Sequence, residues 1–206
     1  MKLDYAKEFR NEPDYVKNTE LDADWAVWVE DGVLKVRFEG TKSYLDALVD
    51  IYFFKSKVKA FDGSTWSVHK GFKDAYYSIR CELLDKAYDL MGEHDYPILV
   101  EGHSLGGAMA IIASEDLSYH FNKKVTLITW GAPRAIVDKE GLEAIKKCTT
   151  EDSHNFEYAS DVVPKLPWFY EKNPYSEHSG HKWNFFKAFA VLKWHCHYEK
   201  ADYSKD

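Results

Sequence analysis

The sequence predicts an α/β fold with a mostly parallel central sheet, helices on both faces and an N-terminal hairpin. Three observations carry this. Short apolar runs alternate with helical patterns through the middle of the 206-residue chain. "WAVWVEDGVLKVRF" at 25–38 places two β-rich runs around an Asp-Gly pair. "EGHSLGGAMA" at 101–110 joins a strand-like run to a helical one through glycines.

Taken in order, the first 20 residues are polar and read as a short helix or arm. The 25–38 segment reads as a hairpin turning at Asp31-Gly32. In "GTKSYLDALVDIYFFKSKVKAF", Leu45, Leu48 and Val49 lie at helical spacing, with Asp46 and Asp50 on the other face. Phe72, Ala75, Tyr76, Ile79, Leu83 and Leu84 follow a helical period that Gly92 stops. "YPILVE" (96–101) and "KVTLITW" (124–130) read as buried strands, with a helix from "SLGGAMAIIASEDLSYHF" between them. "DKEGLEAIKK" reads as a helix, "HNFEYA" as a strand, and "KWNFFKAFAVLKWHCHY" as a closing amphipathic stretch. No repeat, low-complexity tract or linker divides the chain, so one domain over 1–206 is expected.

Bulk composition narrows the function classes. Hydrophobic residues at 45% suit a packed core, and no apolar run approaches the roughly 20 residues of a membrane span. With 34 acidic against 27 basic residues, the net charge of −7 gives no footprint for nucleic acid or anionic lipid. The charged start "MKLDYAKEFRNEPDY" has no apolar signal-peptide core. Cys81, Cys148 and Cys196 are odd in number and lack CxxC spacing. Free thiols and a cytoplasmic location are therefore expected.

The chemistry centres on Gly102-His103-Ser104-Leu105-Gly106, a G-x-S-x-G pattern between a predicted strand and a predicted helix. Such a turn lifts a serine hydroxyl above the sheet edge and needs glycine where larger neighbours would clash. It also puts the Leu105 N–H at a helix start, where it can donate to an oxyanion. The competing reading is a tight structural turn. His103, adjacent to Ser104, reads as a packing residue under that turn.

A serine nucleophile needs a base and an orienting carboxylate, which follow it along the chain in this arrangement. Asp161 is the best acid, because it directly follows a strand-like run; a loop cap is the alternative. Asp138, Glu151, Asp152 and Glu157 lie instead in a helix start, a loop or a strand. Beyond Asp161 stand His178, His181, His195 and His197, as candidate bases or as surface residues. Their H-x-x-H and H-x-H spacings lack the further ligands of a zinc site, so no metal is expected.

Five ordered blocks then resemble the lipase class 3 family of fungal-lipase-like α/β hydrolases. They are "VRFEGTKSYLDALVDI", "VHKGFKDAYYSI", "GHSLGGAMA", "VTLITWGAPRA" and "SDVVPKLP", over roughly residues 33–167. The resemblance implies an α/β-hydrolase fold, Ser104 as nucleophile and Asp161 as acid. It implies Thr41 and Leu105 as oxyanion donors. From the family's histidine with an aromatic residue three positions on, it implies His195 (with Tyr198) as base, with His197 and then His181 as alternatives.

Three features depart from the family. Glu39 stands where a basic residue is common before the Gly-Thr pair, the stretch after Asp161 is short, and the family's secretion and disulfides leave no sign here.

The expected activity is hydrolysis of a carboxylic or lipid ester through an acyl-enzyme, with no metal or organic cofactor. A phospholipase or thioesterase would use the same triad. A catalytically silent binding protein is the alternative of another class. The partner is a small-molecule ester or lipid, met by transient contact at a lipid interface rather than by stable membrane insertion. No nucleic acid is expected as a partner. Ser43–Phe54 reads as an amphipathic lid or an ordinary core helix. Trp168, Phe169 and Tyr170 read as an acyl-pocket wall or as packing.

Overall fold

The computed structural model describes residues 13–17, 24–40, 54–60, 63–158 and 161–179. Strands β1 (Trp25–Glu30) and β2 (Val33–Phe38) form the expected antiparallel hairpin, in register from Trp25↔Phe38 to Glu30↔Val33. Asp31 and Gly32 both take positive φ, 52° and 73°, which matches the turn to the twist of the two strands.

A second hairpin, β3 (Lys55–Lys59) with β4 (Thr65–His69), follows as a separate two-stranded sheet. Helix α1 (Lys70–Met91) then leads to β5 (Ile98–His103), helix α2 (Leu105–His120) and β6 (Thr126–Trp130). Helix α3 (Lys139–Cys148), β7 (His154–Tyr158), a 3₁₀ turn (Val163–Lys165) and β8 (Ser176–Ser179) complete the described elements. The main sheet runs β1-β2-β5-β6-β7-β8, and every pairing from β2 to β8 is parallel.

Helix α1 buries Phe72, Ala75, Tyr76, Ile79, Leu83, Leu84, Ala87 and Met91 along one stripe. It starts at His69, whose Nδ1 accepts from the Phe72 N–H at 3.4 Å. It stops at Gly92, with φ 50° and its N–H on the Tyr88 carbonyl. Helix α2 is buried almost all round from Leu105 to Leu117, since it packs on β2, β5 and β6 with α1 and α3 beside it.

On that side of the sheet Leu34, Val36, Phe38, Ile98, Val100 and Leu127 join one large core. The other side carries a smaller cluster of Ile128, Trp130 and Phe156, against which Leu99 and Tyr158 pack. It also carries a fully buried ion pair, with Arg37 Nε donating to Glu101 Oε1 at 2.6 Å. Helices expected on this second face are not among the described residues.

Sequence and structure differ in two places. The strand read at 96–101 runs from Ile98 to His103, two residues later, because ladder pairing continues through Gly102 and His103. Residues 176–179, to which no sequence pattern assigns an element, form β8, a polar strand held to β7 by its backbone. The helical pattern ending at Phe54 lies outside the described residues except for Phe54, and Lys55 already begins β3. The closing amphipathic stretch lies outside them too.

Candidate active site

The parallel strands end together. His103 of β5 registers with Trp130 of β6, which registers with Phe156 of β7. The loops leaving this carboxyl edge are where an open parallel sheet places its ligand crevice. They carry Glu39-Gly40, Ser104, Gly131–Arg134 and Asp161.

Ser104 connects β5 directly to α2 with φ 57° and ψ −125°, a conformation other than glycine rarely adopted, at a cost of order 1–3 kcal/mol. Its N–H donates to the Trp130 carbonyl at 2.9 Å and its own carbonyl accepts from Ala108 at 3.2 Å. The flanking glycines are sterically required. A Cβ at Gly102 would strike the Gly106 carbonyl, and one at Gly106 the Phe38 carbonyl. The serine side chain does not cap α2. Ser104 is buried, and its Oγ has no hydrogen-bond partner among the described residues.

The segment leaving β2 lies against this serine: a Cβ at Gly40 would sit 2.9 Å from the Ser104 Cβ. Thr41, the next residue, lies outside the described residues. Leu105 opens α2 at its positive end, so its N–H borders the serine. His103 is half-buried at the end of β5.

Asp161 is fully buried. Its N–H donates to the Tyr158 carbonyl at 2.8 Å, and its Oδ1 accepts from Val163 N–H at 2.9 Å. These bonds hold the carboxylate just past β7, two strands from β5. At about 4.8 Å per strand that is roughly 10 Å of lateral spacing, room for an imidazole between acid and serine.

Two of the four rival carboxylates are engaged elsewhere, and Glu151 and Asp152 are exposed. Asp138 caps α3 by accepting from Gly141 N–H, and Glu157 accepts from Asn155 and Ser176. His178 on β8 stands 3.5 Å from Glu157. His181, His195 and His197 lie outside the described residues. Among the described residues no group of three or more His, Cys, Asp or Glu could hold a metal ion.

Arg134 shapes the loop after Asp161. Its N–H donates to Leu166, and its guanidinium donates to the carbonyls of Trp168 and Tyr170, each at 2.9 Å. Tyr170 is buried against His69, whereas Trp168 and Phe169 are exposed. No spacing in the sequence singles out His69. Burial pushes its imidazole down to about 4, and because Nδ1 accepts a hydrogen bond, the neutral ring carries its proton on Nε2.

The class 3 lipase family model matches residues 35–171. A lipase of Rhizopus niveus is 30% identical over 135 residues, covering 63% of this chain and 33% of that protein. A secreted mono- and diacylglycerol lipase A of Penicillium cyclopium is 28% identical over 133 residues, covering 63% and 41%. The solved structure of lipase II from Rhizopus niveus superposes with a TM-score of 0.67 at 26% identity, over 74% of this chain and 59% of that one. The chain thus spans about a third of the length of the first curated relatives it matches.

The cytoplasmic location expected from the charged N-terminus is corrected by these relatives. The Penicillium protein is a secreted enzyme, and a charged first segment does not outweigh that kinship. The α/β-hydrolase fold and the matched residues agree, and the chain belongs to the class 3 lipase family.

Proposed function

We propose that the protein is a serine hydrolase of lipid carboxylic esters, with Ser104 as nucleophile. The observation that carries this is the buried Oγ of Ser104, without a hydrogen-bond partner among the described residues, on a strained backbone at the start of α2. A silent binding protein gains nothing from that strain, whereas a nucleophile is presented by it.

His195 is the base, oriented by Asp161. As Ser104 Oγ bonds to the ester carbonyl carbon, its proton passes to His195. The carbonyl π-electrons move to oxygen, which accepts from the Leu105 and Thr41 N–H groups. Collapse of that intermediate breaks the bond to the alcohol oxygen, which takes the proton from His195. Water then repeats the sequence on the acyl-enzyme and regenerates the Ser104 hydroxyl. The position of Gly40 against Ser104 supports Thr41 in this role. The family's histidine pattern supports His195 over His197 and His181.

The test is turnover of p-nitrophenyl esters of increasing chain length by the wild type and by Ser104→Ala, His195→Ala, His197→Ala and His181→Ala. Activity that disappears with Ser104 and His195 alone supports the reading, and a short-chain optimum makes the protein an esterase rather than a lipase. No hydrolysis of any ester by folded wild type overturns it.

A further inference from the structure

The net charge of −7 averages over an uneven surface. Strand β3 presents Lys55, Lys57 and Lys59 at alternate positions, all exposed, while Val58 between them points into the core. Opposite them in register β4 places His69, Ser67 and Thr65, none of which is a carboxylate. Among the described residues none of the three lysines forms an ion pair. Their neighbour Lys70 is matched by Asp74.

One end of this lysine row meets the aromatic loop after Asp161, at its buried tyrosine. Lys55 Nζ lies 6.0 Å from the Tyr170 ring, which closes the run Trp168-Phe169-Tyr170. Trp168 is 76% exposed and Phe169 43%, with their rings edge to face at 5.3 Å. The Arg134 bonds to the carbonyls on either side of Phe169 hold this loop in place. Phe54, 61% exposed, precedes Lys55, and its carbonyl accepts from Lys70 N–H.

The patch also adjoins the carboxyl edge of the main sheet. The His69 N–H donates to Ala135, and Trp168 lies seven residues beyond Asp161.

We propose that Phe54, Trp168 and Phe169 with Lys55, Lys57 and Lys59 form a docking face for an anionic lipid surface. Aromatic rings settle at the headgroup level while ammonium groups pair with lipid phosphates, and this patch supplies both side by side. Docking there brings the edge that carries Ser104 and Asp161 to the lipid. In that respect the proposal rests on the lipid-ester reading and deepens it with a preference for negatively charged surfaces.

Co-sedimentation of the full chain with vesicles tests it, comparing pure phosphatidylcholine with phosphatidylcholine mixed with phosphatidylglycerol. Binding to the mixed vesicles, weak binding to the neutral ones and loss with rising salt are expected. Replacing Lys55, Lys57 and Lys59 together by Gln should weaken binding about 100-fold, since each lysine near an anionic surface contributes about fivefold. Trp168→Ala with Phe169→Ala should also weaken it.

Turnover of a soluble short-chain ester by the triple-lysine variant should match wild type. Absent vesicle binding at low salt, or binding indifferent to salt and to the lysines, overturns the docking face even if ester turnover is intact. Absent ester turnover by wild type overturns the hydrolase reading instead. The salt series on wild type decides the matter should a variant fail to fold.

Discussion

The Ser104 N–H donates to the Trp130 carbonyl at 2.9 Å, tying a non-glycine residue held at φ 57° to the next strand. The rest of β5, β6 and α2 holds that conformation against its own preference. Ser104→Gly should therefore raise stability by about 1–2 kcal/mol while abolishing ester turnover. Ser104→Ala should abolish turnover without the gain, because alanine keeps the penalty. Urea unfolding of the three proteins measures the difference, and equal stability of the Gly and Ala variants would argue against strain.

The Arg37–Glu101 pair gives a second expectation. Both side chains are buried and bonded at 2.6 Å, on the sheet face away from α2. Glu101→Ala would leave a buried guanidinium without its carboxylate and should cost about 3–5 kcal/mol. Lys146→Ala, which removes an exposed pair with Glu143, should cost under about 0.5 kcal/mol. Similar costs for both would mean that water reaches Arg37.

These residues also mark what the sequence could convey. The turn at Asp31-Gly32, the stop at Gly92 and the glycines flanking Ser104 are local signals, because each is set by backbone geometry within a few residues. The Arg37–Glu101 pair is not local: it exists only because β2 lies beside β5, 64 positions on. Strand β8 has no apolar alternation to announce it, since its neighbours satisfy Ser176 and His178 with polar groups. The β3–β4 hairpin left only its Asp-Gly pair at 62–63 as a signal, because three of the five β3 residues are lysines and hide the strand pattern. Net charge hid the same lysines.

Asp161 was legible from its place after a strand, and its role is open to test. Asp161→Asn keeps a carbonyl oxygen to accept from Val163 N–H, so the loop should survive. Turnover should fall by about 10⁴, because an amide neither holds the base in the required tautomer nor stabilises its protonated form. Retained turnover in a folded Asp161→Asn protein would assign the acid elsewhere.

His69 sets a pH dependence of stability. Burial lowers its pKa from 6.5 to about 4, so between those values the unfolded chain binds a proton that the folded chain does not. Its contribution is complete above pH 6.5 and is lost as pH falls toward 4, about 3 kcal/mol in all. His69→Asn keeps an N-cap acceptor but removes the titration. Urea midpoints at about pH 7 and 5 should therefore lie closer together in the variant, by about 2 kcal/mol when converted to stability. An unchanged gap would mean that His69 is solvated in the folded chain.

The central claim is that Ser104 is an activated nucleophile, and its most direct test is covalent labelling with a fluorophosphonate followed by peptide mass spectrometry. The expected result is a single adduct on Ser104 in the folded protein, absent from Ser104→Ala and from urea-unfolded chain. A folded wild-type sample with no adduct on Ser104 would contradict it.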